Sequence, residues 1–209
     1  LGRPDTNAPA RDNETYTLST PNSWAPLSAD DELGLVYVTT GNAAGDFYGG
    51  TRTEQEDTFS SSLVALDATT GKVRWRFQTV HHDLWDYDLS PQPSLIDFPT
   101  ATGPRPAVIQ ATKSGQLFVL DRATGEPLVD VLPAPVPQGT APGDYTAATQ
   151  PLSPDMPSTM GRPSKTPEVL TEANAWGLTP FDQMQCRLEF RQARYEGIFT
   201  PPVVGQQSL

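Results

Sequence analysis

Apolar positions along the chain come in short alternating runs, and the runs end in Gly, Pro, Asn or Asp. Leu35-Val36-Tyr37-Val38-Thr39 is rich in β-branched and aromatic residues and follows an acidic turn, Asp30 to Gly34, which predicts a strand. Leu63 to Asp67 is a second strand closing on a tight turn at Gly71, and Val73-Arg74-Trp75-Arg76-Phe77 alternates as a half-buried strand does. Pro106 to Ala111 and Leu117 to Asp121 read the same way, joined by a loop, Thr112-Lys113-Ser114-Gly115, that presents one lysine. No long helical period appears; Glu168 to Trp176 reads as a short helix. Residues 43–58 form a polar, glycine-rich excursion. Residues 1–19 read as a loop or linker and 131–175 as a long proline-rich loop.

Two of these segments repeat. Leu66-Asp67-Ala68-Thr69-Thr70-Gly71 returns as Leu120-Asp121-Arg122-Ala123-Thr124-Gly125, an offset of 54 residues (121 minus 67). In Leu-Asp-x-x-Thr-Gly the Asp side chain bonds its own backbone and the Gly takes a positive φ. A strand–turn–strand unit recurring at about this period is the signature of propeller blades. The expected fold is all-β.

Composition adds little to this. A chain of 209 residues with 22 prolines, 16 glycines and 36% apolar content suits many short strands around one large core or two small ones. The formal net charge of -11 argues against nucleic acid and against anionic membrane surfaces as partners. The single cysteine, Cys186, has no partner in the chain for a disulfide. No apolar run approaches the ~20 residues of a membrane span, and no signal peptide opens the chain, whose first residues read as the middle of something longer.

The candidate chemistry is concentrated in Thr79-Val80-His81-His82-Asp83-Leu84-Trp85-Asp86-Tyr87-Asp88, which holds both histidines, three carboxylates and two aromatics. Carboxylates at this density need cations, a metal or donors if buried, and none of these on an open surface turn. Trp85, locked between Asp83 and Asp86, favours packing and hence a functional site over a solvated acidic turn. Elsewhere, Trp24 stands between Pro21 and Pro26, either as a packing residue or as a rigid aromatic face for a ligand. Asn42, in Thr40-Gly41-Asn42, offers an amide oxygen suited to a hard cation or to an ordinary turn. The arginines of Cys186 to Tyr195 are either solvated or bound to acidic loops of this chain.

The Leu66-to-Trp75 turn, with its Leu-Asp-x-x-Thr-Gly-x-x-x-Trp pattern, resembles the docking motif of pyrroloquinoline quinone dehydrogenases. Trp24, Thr40-Gly41-Asn42 and His82-Asp83-Leu84-Trp85-Asp86 match the same family in order and at compatible spacings. The His-His-Asp-Leu-Trp-Asp form, Pro91-Gln92-Pro93, and Arg194-Tyr195-Glu196-Gly197-Ile198-Phe199-Thr200-Pro201-Pro202 are most similar to the membrane-bound glucose, quinate and shikimate dehydrogenases. The resemblance implies that residues 1–209 are a central part of an eight-bladed β-propeller, about three to four blades with long loops. Further blades and a membrane anchor would lie elsewhere in a longer parent chain, at the periplasmic face of the bacterial inner membrane. It implies oxidation of a sugar or cyclic polyol by hydride transfer to pyrroloquinoline quinone, with a membrane quinone as the final acceptor. Asp86 would be the general base, Trp24 the surface on which the quinone stacks, and Lys113 the donor to its oxygens. Asn42, Asp86 and Asp88 would face the metal, Ca2+, with Mg2+ or a lanthanide as the other choices. His81 and His82 would hold the loop. Two readings from other classes share the turns: a non-catalytic propeller scaffold, which would not keep Trp24, Asn42, Asp86 and Lys113 together, and a calcium-dependent sugar-binding or hydrolytic propeller.

Overall fold

A computed structural model describes residues 21–159 and 170–205. Its strands form three antiparallel sheets. The first runs β1 (Ser28–Asp30), β2 (Leu35–Thr39), β3 (Ser62–Asp67), β4 (Val73–Gln78) in that spatial order. The second contains β5 (Ser94–Phe98), β6 (Arg105–Ala111) and β7 (Leu117–Asp121). The third is a ribbon of β8 (Leu132–Pro135) and β9 (Thr149–Leu152). Three sheets thus stand where about three to four blades are expected, one with four strands, one with three and one with two.

The expected hairpins are present. Asp67 Oδ1 accepts from the backbone N–H groups of Thr69 and Thr70, at 3.1 and 2.8 Å, and Gly71 turns at φ +68°. Asp121 Oδ1 does the same for Ala123 and Thr124, at 2.9 and 3.1 Å. Each turn needs only its own residues, which is why the sequence motif alone finds it. Beyond the turns the two sheets differ. Past the first turn, Val73 to Gln78 pairs along β3 from Ser62 to Leu66. Past the second, Pro127 brings no N–H, and pairing shrinks to a bridge between Leu120 and Pro127, with two bonds, Asp121 N–H to Glu126 O and Leu128 N–H to Val119 O.

The core joins the two sheets. Leu35, Tyr37, Leu63, Ala65 and Trp75 of the first pack with Val108, Phe118 and Leu120 of the second, and with Leu89. Trp75 lies against the second turn so closely that a Cβ on Gly125 would sit 2.6 Å from its ring. Trp75 Nε1 and the Tyr37 hydroxyl both donate to Arg122 O at 3.0 Å. Trp75 is therefore the peg by which one blade docks on the turn of the next.

Four segments depart from expectation. The stretch 131–175 is not loop throughout, because β8 and β9 pair in register from Leu132↔Leu152 to Pro135↔Thr149. Proline is tolerated there because a two-stranded ribbon leaves one side of each strand without ladder bonds. Within the polar excursion, Glu54–Phe59 forms a short helix, α1, capped by Thr53 and Glu56 in a reciprocal box. Pro180–Gln192 forms α2, with Thr179 as cap, Pro180 at its first position and Asp182 closing the box. Neither helix buries a residue, so no apolar stripe announced them. The expected helix at Glu168 to Trp176 is a single 3₁₀ turn, Glu172–Asn174; residues 1–19 and the start of that segment lie outside the described residues. The arginines near α2 pair locally, Arg191 with Glu172 and Arg194 with Glu196.

Candidate active site

The connection between β4 and β5 carries the dense acidic stretch, and one buried carboxylate shapes it. Asp83 is fully buried. Its Oδ1 accepts from Trp85 N–H at 2.9 Å, and its Oδ2 accepts from Tyr87 N–H at 2.9 Å and from the Ser61 hydroxyl at 2.5 Å. Burial pushes the Asp83 carboxyl up to about 6, against the lowering effect of those three donors. The loop winds around this group. Trp85 Nε1 donates to Thr200 O at 2.7 Å and the Tyr87 hydroxyl to Ile198 O at 2.5 Å, with Phe199 edge-on to both rings. Burial pushes the Tyr87 hydroxyl upward as well. Between these anchored aromatics Asp86 sits at φ +58°, a left-handed conformation uncommon outside glycine, though aspartate tolerates it better than most residues.

Lys113 reaches Asp86 from the tip of the β6–β7 hairpin. Its Nζ donates to Asp86 O at 2.5 Å, Asp86 Oδ2 at 3.2 Å and Asp88 Oδ2 at 3.3 Å. Partial burial raises the Asp86 carboxyl above its ordinary value, the Lys113 bond opposes this, and the neighbouring Asp88 charge adds to it; the net direction is up. Burial works to lower the Lys113 ammonium, but its bonds to the two carboxylates raise it overall.

Asp88 links this group to the Thr40-Gly41-Asn42 turn: its Oδ1 accepts from Asn42 N–H at 2.7 Å. A Cβ on Gly41 would fall 2.7 Å from Asp88 Oδ1, 2.9 Å from Asn22 Oδ1 and 3.4 Å from Trp24 Nε1, so any larger residue here would push the Asp88 and Asn22 side chains aside. Trp24, 59% exposed, stands at its rim. The structure therefore brings Trp24, Asn42, Asp86, Asp88 and Lys113 into one cluster. Asn42 enters it by its backbone; its side chain points inward, Oδ1 accepting from the Ser60 hydroxyl at 3.0 Å and Nδ2 donating to Asp46 O at 3.2 Å.

An exposed indole beside an ammonium suits a planar, anionic aromatic cofactor: Trp24 is open to stacking, and Lys113, whose three donors are engaged by Asp86 and Asp88, can donate to it by exchanging one of those bonds. For a cation, Asp86 and Asp88 offer oxygens, while the Asn42 amide oxygen is engaged by Ser60. Ca2+ takes about six to eight oxygen ligands, more than this set brings together.

The two histidines hold the loop from behind. His82 is buried, and its ring nitrogens lie 2.9 Å from Asp57 Oδ1 and 2.8 Å from Asp144 Oδ1. Only the doubly protonated ring donates through both nitrogens, and the two carboxylates raise the His82 pKa although burial opposes them. Tyr145 stacks on the ring at 3.7 Å between centroids. His81 is bound through its backbone: its N–H donates to Gln150 Oε1 and its O accepts from Gln150 Nε2, both at 2.7 Å. Arg52, Asp57, Asp144, Tyr145 and Gln150 carry no local motif; most of their side-chain partners lie far along the chain, and only the Thr53-x-x-Glu56 cap left a sequence signal near them.

The family model described as "PQQ: Glucose/ethanol/alcohol dehydrogenase, beta-propeller domain" matches residues 1–209. The chain is 48% identical over 206 residues to the glycerol dehydrogenase large subunit of Gluconobacter oxydans, covering 98% of this chain and 27% of that one. It is 50% identical over 202 residues to the quinoprotein glucose dehydrogenase of Escherichia coli, covering 96% and 24%. It is 45% identical over 200 residues to the quinate/shikimate dehydrogenase (quinone) of Acinetobacter baylyi, covering 95% and 24%. The chain spans about a quarter of the length of these curated relatives. With its blade-like sheets and docking tryptophan, it belongs to the pyrroloquinoline quinone β-propeller family of glucose, ethanol and alcohol dehydrogenases.

Proposed function

We propose that this chain forms part of the catalytic domain of a quinoprotein dehydrogenase that oxidises a secondary alcohol of a sugar or cyclic polyol, with Asp86 as the general base. The observation that carries the reading is the cluster of Asp86, Asp88 and Lys113, assembled from two loops and set beside the exposed Trp24. Bound there, pyrroloquinoline quinone supplies the hydride acceptor. Trp24 offers its face to the planar ring. Lys113 would donate to the quinone oxygens in exchange for one of its bonds to Asp86 or Asp88. Asp86 takes the hydroxyl proton of the substrate at its carboxylate, and its raised pKa brings it closer to the proton it must accept. Asp86 and Asp88 would help hold the cation, Ca2+ or in its place Mg2+ or a lanthanide, and Asn42 would add its amide oxygen if Ser60 turned away. The named relatives act on glycerol, glucose and quinate or shikimate, which points to a polyol and leaves its identity to assay. A membrane quinone as electron acceptor and a periplasmic location belong to the same reading. Among the described residues no helix is long and apolar enough to cross a membrane.

The test is a dye-linked assay of the full-length protein against a polyol panel, with and without the quinone. Asp86→Asn, loaded with quinone to wild-type stoichiometry, is expected to lose roughly 10²–10⁴ of its turnover, the usual contribution of a general base. A loss that only tracks missing quinone or metal makes Asp86 a holding residue. Near-normal turnover at full loading moves the base elsewhere, with Asp88 or Asp83 next.

A further inference from the structure

Behind the acidic loop lies a buried guanidinium. The Arg52 side chain is only 2% exposed. Such a group keeps its charge and has five N–H donors to satisfy. Nε donates to Ala44 O at 3.3 Å, and Nη2 to Ala43 O at 3.2 Å and Gly45 O at 3.0 Å. Nη1 donates to Asp83 O at 2.7 Å and lies 3.8 Å from Asp57 Oδ1. One planar group thus spans three successive carbonyls just after Asn42 and the carbonyl of the residue that organises the Asp86 loop. The two loops meet again at the front, where Asp88 accepts from Asn42 N–H.

We propose that Arg52 is a positioning residue of the oxidation: it fixes the separation between the Asn42 turn and the Asp83–Asp88 loop, and so the register of Asp86 and Asp88 toward quinone and cation. This rests on the reading of that cluster as the reaction centre. Arg52 does not touch the Asp86 carboxylate; it acts through the Asp83 backbone. A guanidinium is needed because the four carbonyls are engaged through three different nitrogens of one rigid plane. An ammonium keeps the charge but gathers its three donors at a single point. A misplacement of about 1 Å at a reaction centre can cost roughly 10²-fold in rate, so a small shift between these loops is enough to be felt.

The experiment compares Arg52→Lys, Arg52→Ala and the surface control Arg74→Ala in the full-length enzyme, reconstituted from the apo form. It reads the unfolding midpoint of the apo protein, the affinities for pyrroloquinoline quinone and for Ca2+, and kcat and KM at full loading. Arg52→Lys is expected to unfold close to wild type, to bind quinone and Ca2+ more weakly, and at saturation to show kcat reduced about 10–100-fold with KM changed by less than about threefold. Guanidinium ion at low millimolar concentration is expected to restore part of the kcat of Arg52→Ala and none of that of Arg52→Lys, whose side chain fills the space. Wild-type kcat and affinities in Arg52→Lys overturn the proposal. So do losses that track a lowered unfolding midpoint, or failure of both variants to fold, which make Arg52 a residue of the fold alone. Asp86→Asn measured alongside separates the two readings: if it turns over normally, the assignment of the base fails, while the role of Arg52 is still read in the quinone and Ca2+ affinities.

Discussion

The two turns that close the blades and the loop that carries Asp86 are both built around a buried or half-buried aspartate, yet they are held in opposite ways. Asp67 and Asp121 accept from N–H groups two and three residues ahead, and a glycine completes each turn. Asp83 also accepts from residues just ahead of it, but its loop stands only because Ser61, Arg52, Gln150, Ile198 and Thr200 reach it from far along the chain. A local turn folds wherever its motif occurs. A loop held at a distance keeps strained φ values at His82 and Asp86, because the surrounding bonds over-determine them. In this molecule the repeating turns give the fold, and the tethered loop carries the residues proposed for the chemistry.

The largest expected effect falls on the blade side. Trp75→Ala removes the peg between the two sheets, both its packing in the core and its bond to Arg122 O. A buried aromatic cut to alanine costs about 3–5 kcal/mol. Denaturant unfolding of the full-length protein should show this loss, while the kcat of the protein that remains folded stays within about threefold of wild type, the latitude expected of a change that leaves the reacting groups in place. A Trp75→Ala enzyme that is stable but inactive would break the division between frame and loop.

Asp83→Asn should give the converse result. The amide has one acceptor oxygen where the carboxylate has two, so at least one of Ser61 Oγ, Trp85 N–H and Tyr87 N–H loses its partner. An unsatisfied buried donor costs about 1–3 kcal/mol, part of which is offset because the ionised Asp83 is itself unfavourably buried, with its carboxyl pushed up to about 6. Turnover should fall by more than stability, about 10²-fold, because Asp86 loses its placement. Equal activity in Asp83→Asn and wild type would show that Trp85 and Tyr87 hold the loop without it.

This division also marks how far the sequence could be read. The Leu-Asp-x-x-Thr-Gly repeats specified both hairpins, since every bond they need lies within a few residues. Trp24, Asn42, Asp86, Asp88 and Lys113 are found by resemblance in order and spacing; the structure brings Trp24 and Asp88 to Gly41 and joins Asn42, Lys113 and Asp86 to them through Asp88 and Lys113. That Asn42 joins through its backbone was not legible, because Ser60 and Asp46, which turn its side chain inward, belong to no motif. Gln150 and Asp144 lay in a stretch that reads as proline-rich loop, where a buried glutamine bonded to the His81 backbone has no local signal. The helices α1 and α2 were missed for a different reason: their caps are local and visible, but they bury no residue and so lack the apolar period by which helices are recognised.

The smallest effect belongs to the clamp on His82, and pH isolates it. His82 is raised by its bonds to Asp57 and Asp144, so its contribution is fully present below its unfolded value of ~6.5 and is lost as pH rises through the folded value. Asp57 and Asp144 run the other way. Burial raises each of them, but their hydrogen bonds and charge partners, His82 foremost, prevail and both end lowered. Their contributions are therefore present above the unfolded carboxylate value of ~3.9 and are lost as pH falls through the folded values. The clamp should thus be tightest between about pH 4 and pH 6.5. Hydrogen exchange in the full-length protein, corrected for the intrinsic pH dependence, should show residues 140–150 best protected in that window and progressively less so toward pH 9, while β3 shows no such trend. The effect is modest because Asp57 remains 24% exposed and burial of the imidazolium works against the bonds. In His82→Asn the part of the alkaline loss of protection that belongs to the clamp should vanish. Asp83 is still present in that variant, so whatever it adds cancels in the comparison, and the difference between the two profiles belongs to the clamp. A wild-type profile that is flat from pH 5 to pH 9, or one that His82→Asn reproduces, would mean that residues 140–150 are held by the Gln150 bonds and the β8–β9 ribbon rather than by the charge on His82.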